Sequence, residues 1–169
     1  MTAPAPAILH AGLVALRMDG EWRGVLIEGP AGSGKSDLAL RALGHGFQLV
    51  ADDRTVVFVS AGRLYGRAPG ALAGLIEVRG LGVVSERALP MAEIALALTC
   101  ENAPEAVDRA PDYLARELLG LSVPMLRLWP FEPAAPAKLR RGLEHLGQRG
   151  QQAYQASLAP PERRLGATL

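Results

Sequence analysis

The 169-residue sequence contains a single cysteine, Cys100. One thiol forms no intrachain disulfide and builds no cysteine-based metal cluster. An excess of one charge is missing as well: 18 Lys and Arg stand against 17 Asp and Glu, a formal net charge of +1. That balance gives no general electrostatic reason to bind nucleic acid or an anionic membrane. Long apolar runs are lacking, since stretches such as 94–98 fall far short of the ~20 residues that span a bilayer. The opening residues, MTAPAPAILH, have neither the basic region nor the apolar block of a secretory signal. Together these absences predict a soluble cytoplasmic protein with no nucleic acid and no membrane as partner. Lysine is scarce too: 16 of the 18 basic side chains are Arg, and only Lys35 and Lys138 carry an ammonium. A chain that otherwise uses Arg yet places Lys35 beside a glycine-rich turn points to a need for a compact charge there.

What is present is an ordinary globular mix, 49% hydrophobic and 21% charged, of one-domain length. Apolar runs at 8–17 and 23–28 flank an Asp19-Gly20 pair and read as a hairpin. A glycine-rich turn at 29–34 leads into a helix over 36–43, where Leu38, Ala39, Ala42 and Leu43 recur at helical spacing. Gly44 and Gly46 supply its stop. A short strand over 47–51 runs into Asp52-Asp53, and 55–60 with 63–67 reads as a second hairpin. Residues 75–84 read as one strand with glycines inserted and 124–128 as a further strand, while 91–99 fits a strand or a short helix by periodicity and is read as a strand because it sits between loops. Helices are expected at 112–119 and at 137–146, the latter with Pro136 suited to its first turn. Residues 147–169 hold few large apolar side chains and are expected to form a flexible tail, leaving 7–146 as the folded domain.

The turn Gly29-Pro30-Ala31-Gly32-Ser33-Gly34-Lys35-Ser36 meets every fixed position of G-x-x-x-x-G-K-[ST]. An apolar strand, Val25-Leu26-Ile27, runs into it and the helix runs out. Glycines let successive backbone N–H groups turn inward around phosphate oxygens. The helix presents its free N–H groups and positive dipole end to the same anion. Lys35 can then reach the β- and γ-phosphates, and the Ser36 hydroxyl can ligate Mg²⁺. The pattern is strong for nucleotide binding and silent about the acceptor.

Asp52 and Asp53 lie 17 and 18 residues beyond Lys35, at the end of a short apolar strand. A carboxylate in that place can hold Mg²⁺ directly or through water. Adjacent residues of an extended chain face opposite ways, so the two are expected to do different work, one toward metal and one toward an attacking hydroxyl. An Asp-Asp turn after an edge strand is the plainer alternative. In Glu77-Val78-Arg79-Gly80-Leu81-Gly82, alternation sets Glu77 and Arg79 on one face, either as a metal-directed carboxylate beside a phosphate-directed guanidinium or as a surface ion pair. His10 and Arg109, taken alone, read as a structural histidine and a surface arginine, and Cys100 and Trp22 as packing.

Taken together, these residues resemble the catalytic domain of bacterial HPr kinase/phosphorylase. The resemblance rests on Ile8-Leu9-His10 ahead of the loop, on GPAGSGKS, on LVADD at 49–53 and above all on EVRGLG at 77–82. It extends weakly to Val107-Asp108-Arg109 and to 120–124, and runs from about residue 7 to 146. It implies an α/β fold with a phosphate loop, a mixed central sheet and flanking helices. It implies an ATP- and Mg²⁺-dependent protein-serine kinase acting on an HPr-type phosphocarrier of the phosphotransferase system. In that family the same site also runs phosphorolysis, in which inorganic phosphate attacks the seryl phosphate and releases pyrophosphate. Carried over by motif, the loop 29–36 holds the nucleotide, Lys35 binds phosphate, and Ser36 and Glu77 bind Mg²⁺. Asp53 accepts the seryl proton, Asp52 and His10 support it, and Arg109 touches the phosphoryl group. Arg79, Gly80 and Gly82 belong to the family signature.

Family members assemble as hexamers, so a homo-oligomer is a further expectation. Two departures stand out. The phosphate loop starts at residue 29, so the family's usual N-terminal domain is expected to be absent. A glycine- and arginine-containing stretch associated with dephosphorylation is replaced by Pro130-Phe131-Glu132-Pro133-Ala134-Ala135-Pro136, which bears on phosphorolysis more than on the kinase reaction. Two other readings compete: a P-loop kinase for a small metabolite, and a nucleotide-gated module that binds a partner protein without transferring phosphate.

Overall fold

The first apolar run does not form one strand. In the computed structural model, which describes residues 2–147, it breaks at His10 into β1 (Ala7–Leu9) and β2 (Ala11–Met18). Asp19 and Gly20, with φ of 52° and 80°, then turn the chain into β3 (Glu21–Glu28), antiparallel to β2. The phosphate-loop segment leads into α1 (Lys35–Leu43), β4 (Gln48–Ala51) and the hairpin of β5 (Thr55–Ser60) with β6 (Arg63–Arg67). A separate two-stranded hairpin, β7 (Leu75–Val78) and β8 (Gly82–Ser85), precedes the long β9 (Ala92–Cys100). The chain continues through β10 (Leu114–Leu118), β11 (Leu121–Leu128) and α2 (Ala135–His145).

Nine strands form one mixed sheet in the order β1-β5-β6-β9-β3-β2-β4, and it forks at β9. The start of β9 pairs antiparallel with β6, and its second half pairs parallel with β11, which carries β10 on its far side. Parallel pairing of β3, β9 and β11 opens their three outgoing connections at one edge of the sheet. The central strands bury both faces, which is why they read as nearly continuous apolar runs. Val14, Val25, Ile27, Leu96 and Leu98 face one core, where Leu38, Ala39 and Ala42 of α1 and Leu139 and Leu143 of α2 cover them. Leu13, Leu26, Ile94 and Ala97 face a second core, closed by Val57 and Leu64 of the curled hairpin and Val123 of β11. Between Ile94 and Leu96 the register with β3 slips by one residue at Ala95. That bulge reverses the inward parity, so Leu96 joins the helix-side core.

This is the expected mixed sheet with flanking helices, both helices lying on one face. Two local expectations fail. The 112–119 segment is not helical: Leu114-Ala115-Arg116-Glu117-Leu118 is a strand despite its helix-forming residues. Leu119 and Gly120, at φ 50° and 80°, make a two-residue turn that pairs it with β11, and sheet pairing overrides local propensity. Nor is 75–84 one strand, because Gly80 at φ 88° turns it back on itself and the Leu81 amide bonds the Val78 carbonyl at 2.9 Å. Helix α2 begins at Ala135, two residues before the expected start. The expected tail lies outside the described residues beyond Gly147. No described helix is long and apolar enough to cross a membrane.

Candidate active site

The break at His10 sets the geometry. Because β1 pairs with β5 while β2 pairs with β4, the chain between β1 and β2 must lie beside the chain between β4 and β5. The buried Thr55 hydroxyl donates to the Ala11 carbonyl at 2.8 Å and fixes that juxtaposition. His10 Nδ1 therefore stands 3.5 Å from Asp53 Oδ1, with Arg54 Nε 3.9 Å from the other Asp53 oxygen. Asp53 itself has φ 64°, in a three-residue turn closed by the Arg54 amide on the Asp52 carbonyl at 2.7 Å. Asp tolerates left-handed backbone better than most residues, at an energetic cost of about 1–3 kcal/mol.

The two aspartates are separated in role. Asp52 is buried, 6% exposed, and both of its oxygens are committed: Oδ1 accepts from the Ser36 hydroxyl at 2.8 Å and Oδ2 from the Glu77 amide at 3.0 Å. It ties the first turn of α1 to the β7–β8 hairpin. Because the Ser36 proton points at Asp52, the hydroxyl lone pairs remain available to a cation. Asp53 is 56% exposed and faces a cleft of about 390 Å³. His10, Gly32, Lys35, Ser36, Glu77 and Arg79 line the same cleft.

Lys35 is 8% exposed, and its ammonium donates to the carbonyls of Gly29 and Pro30, both at 2.8 Å. An ammonium has three donors, so one is left over. Among the described residues no carboxylate pairs with it. A buried cation without a counter-charge is costly, and α1 adds to it an N-terminus with no side-chain cap. The site is therefore short of an anion, which a phosphate chain supplies. Gly29 could hardly be another residue: at φ 154°, an added Cβ would lie 2.6 Å from Ser33 Oγ and 3.0 Å from Cys100 Cβ. Beneath the loop, burial pushes the Cys100 thiol up to about 11, an effect that the nearby Lys35 charge partly offsets. Just before the loop, Glu28 takes a two-pronged bond from Arg116 of β10, 3.0 and 3.1 Å, which raises the guanidinium pKa further.

The family model of the HPr Serine kinase C-terminal domain matches residues 7–99, more than half of the chain. The chain belongs to the HPr serine kinase family. Over 65 residues it is 52% identical to the HPr kinase/phosphorylase of Xanthomonas campestris pv. campestris, covering 38% of this chain and 21% of that protein. Over 61 residues it is 44% identical to the Clostridium tetani HPr kinase/phosphorylase, covering 36% and 20%. The chain thus matches about a fifth of the length of these curated relatives. Its fold is similar to the Hpr(Ser) kinase/phosphatase from Coxiella burnetii, with a TM-score of 0.72 at 25% identity, covering 89% of this chain and 96% of that one.

Within this HPr kinase fold, His10, the 29–36 loop, Asp52, Asp53, Glu77 and Arg79 all gather at one edge. Gly80 and Gly82 shape the hairpin tip, at φ 88° and 99°. Arg109 is not brought together with them: it is exposed in the 101–113 connection and does not line the cleft. The EVRGLG segment keeps Glu77 and Arg79 at the cleft, but across a strand end and a turn rather than along one strand face. Two residues escaped the sequence reading. Asp37 lines the cleft and binds Arg41 Nε at 2.9 Å, and the Arg41 guanidinium bonds the carbonyls of Pro130 and, at 3.3 Å, Glu132. Phe131 is thereby set against the loop. The i,i+4 spacing of Asp37 and Arg41 was visible in the sequence; their tie to 130–132 was not.

Proposed function

We propose that this chain is an ATP-dependent protein-serine kinase that phosphorylates an HPr-type phosphocarrier protein. The observation that carries this reading is Lys35, a buried cation with no carboxylate partner among the described residues, facing the same cleft as the exposed Asp53. The triphosphate rests on the loop N–H groups and the α1 N-terminus, with Lys35 on its terminal phosphates. The donors on offer to a cation, the Ser36 hydroxyl and the Glu77 carboxylate, are both hard oxygens. No cluster of three or more His, Cys, Asp or Glu forms a metal cage among the described residues. That donor set suits Mg²⁺, which takes few protein ligands and completes its shell with water and phosphate oxygens. When bound, Mg²⁺ neutralises charge on the terminal phosphates.

Asp53 accepts the proton of the incoming seryl hydroxyl as its oxygen attacks the γ-phosphorus; the bond from the γ-phosphorus to the bridging oxygen breaks and ADP leaves. His10 and Arg54 stand beside the exposed Asp53 carboxylate, which another protein's hydroxyl can reach from the cleft. Positioning and charge stabilisation supply most of the acceleration. In phosphorolysis an oxygen of inorganic phosphate attacks the seryl phosphorus, the bond from that phosphorus to the seryl oxygen breaks, Asp53 returns the proton to that oxygen, and the two joined phosphates depart as pyrophosphate.

The test is incubation with ATP, Mg²⁺ and HPr-type carriers, read by intact mass. Transfer to a carrier serine is expected, falling on the order of 10²–10⁴-fold in Asp53→Asn while ATP binding persists. Full transfer by Asp53→Asn removes the proton-acceptor assignment. Tight ATP binding with no transfer to any carrier replaces the kinase with a nucleotide-gated binding module.

A further inference from the structure

We infer that Phe131 is the stacking platform for the nucleobase of the bound triphosphate, an inference that rests on the nucleotide-dependent reaction proposed above. Helix α1 meets the loop between two anchors that point different ways. On one side Ser36 bonds Asp52, next to Asp53, His10 and Glu77. On the other, Asp37 and Arg41 clamp the backbone of 130–132, the connection that leaves β11 at the same sheet edge as the phosphate loop. A triphosphate on the loop whose reacting end lies at Asp53 must run its nucleoside end away from that acidic side. The clamped side is where it then arrives.

What waits there is an aromatic ring. Phe131 lines the cleft and is 52% exposed, yet it is not loose. A Cβ added at Gly34 would lie 2.8 Å from Phe131 Cζ, so the ring sits directly on the loop backbone. Trp129 meets it edge-on at 6.3 Å between ring centres, with 70° between the planes. A rigid, half-exposed ring leaves apolar surface in water unless something flat covers it. A purine base does so, and stacking on an aromatic side chain needs no hydrogen-bonding code. The loop residues Ala31, Gly32 and Gly34 that line the cleft carry no side chain large enough to block a flat base from reaching the ring.

The experiment measures dissociation constants of Mg²⁺–ATP and of Mg²⁺–tripolyphosphate, which has no base, by calorimetry on the full chain. The unaltered protein, Phe131→Ala and Phe131→Trp are compared. Phe131→Ala is expected to weaken ATP by roughly 5- to 150-fold, the range for losing one aromatic–base stack. Tripolyphosphate should change by less than about twofold, and Phe131→Trp should restore ATP affinity. Equal weakening of both ligands would mean that the ring only shapes the loop, and unchanged ATP affinity would mean that the base lies elsewhere; either result overturns the inference. Failure of the unaltered chain to bind any triphosphate overturns the functional reading and this inference with it.

Discussion

Substitutions at Asp52 separate the frame of the site from its chemistry. Asp52→Ala removes the acceptor for two donors, the Ser36 hydroxyl and the Glu77 amide. Hydrogen bonds to a charged group are worth about 1.5–3 kcal/mol each, so the pair amounts to about 3–6 kcal/mol, less wherever water reaches the vacated acceptor. For a chain of this length each kcal/mol moves Tm by roughly 2–4 °C, and a fall on the order of 10 °C is expected. Asp52→Asn behaves differently. Its amide oxygen keeps the Glu77 bond, and its NH₂ can donate to Ser36 only if that hydroxyl rotates and gives up a lone pair. The stability loss is then small, about 1 kcal/mol for exchanging charged bonds for neutral ones. Ser36, however, now turns its proton outward, and the Mg²⁺-dependent part of ATP affinity should fall. Thermal unfolding of both variants, with ATP titrations in the presence and absence of Mg²⁺, decides the matter. If Asp52→Asn is as unstable as Asp52→Ala, or keeps its full Mg²⁺ dependence, the assigned hydrogen-bond directions are wrong.

Other outcomes follow from individual contacts. Asp53→Gly should be more stable than Asp53→Ala by about 1 kcal/mol in denaturant titration, because glycine takes φ 64° freely and alanine does not; equal stabilities would remove the strain. Gly142→Ala gains helix propensity, yet its Cβ would lie 2.6 Å from Leu126 Cδ1 and 2.9 Å from Leu96 Cδ2, so a net loss of about 1–3 kcal/mol is expected by the same method. For Cys100, burial raises the folded value to about 11 from the ordinary 9.0. The unfolded chain therefore loses its thiol proton first as pH rises: the stability carried by the neutral thiol is complete below about 9 and gone by about 11, a change of about 2–3 kcal/mol. The stability advantage of the native chain over Cys100→Ala should accordingly shrink between about pH 8 and pH 10.5, and a constant gap would refute the burial argument.

Contiguous features were legible in the sequence because covalent spacing fixes them. The phosphate loop needs only a strand before it and a helix after it, and both form where the apolar pattern places them. Asp52 and Asp53 sit at a strand end for the same reason. Features that depend on strand partners were not legible from spacing alone. His10 comes to Asp53 only because the chain breaks between β1 and β2 and the halves choose different neighbours. Leu114–Leu118 carries residues that favour a helix, and only its turn at Leu119-Gly120 and its pairing with β11 make it a strand. Arg109, named from a weak motif match, lies in the 101–113 connection and outside the cleft lining, a placement that spacing alone does not give. Phe131 lies in the 130–136 segment, whose tie to the phosphate-loop helix through Arg41 joins residues far apart in the chain and leaves no local signal.

The contrast between the neighbouring aspartates has a topological cause. Strand β4 ends against β2, and β5 begins against β1, so the chain must change partners within the three residues between them. A three-residue turn does this, and the positive φ it imposes falls on Asp53. Asp52, still in line with the strand, stays buried between α1 and the β7–β8 hairpin; Asp53 is swung out into the cleft beside His10. Strain of this kind persists only where the surroundings over-determine it, and here the Thr55–Ala11 bond and the flanking ladders do so. The fold thus places a positive φ on a carboxylate that is exposed in the cleft, while the adjacent carboxylate, buried and bonded through both oxygens, holds the hydroxyl and the hairpin that frame the phosphate loop.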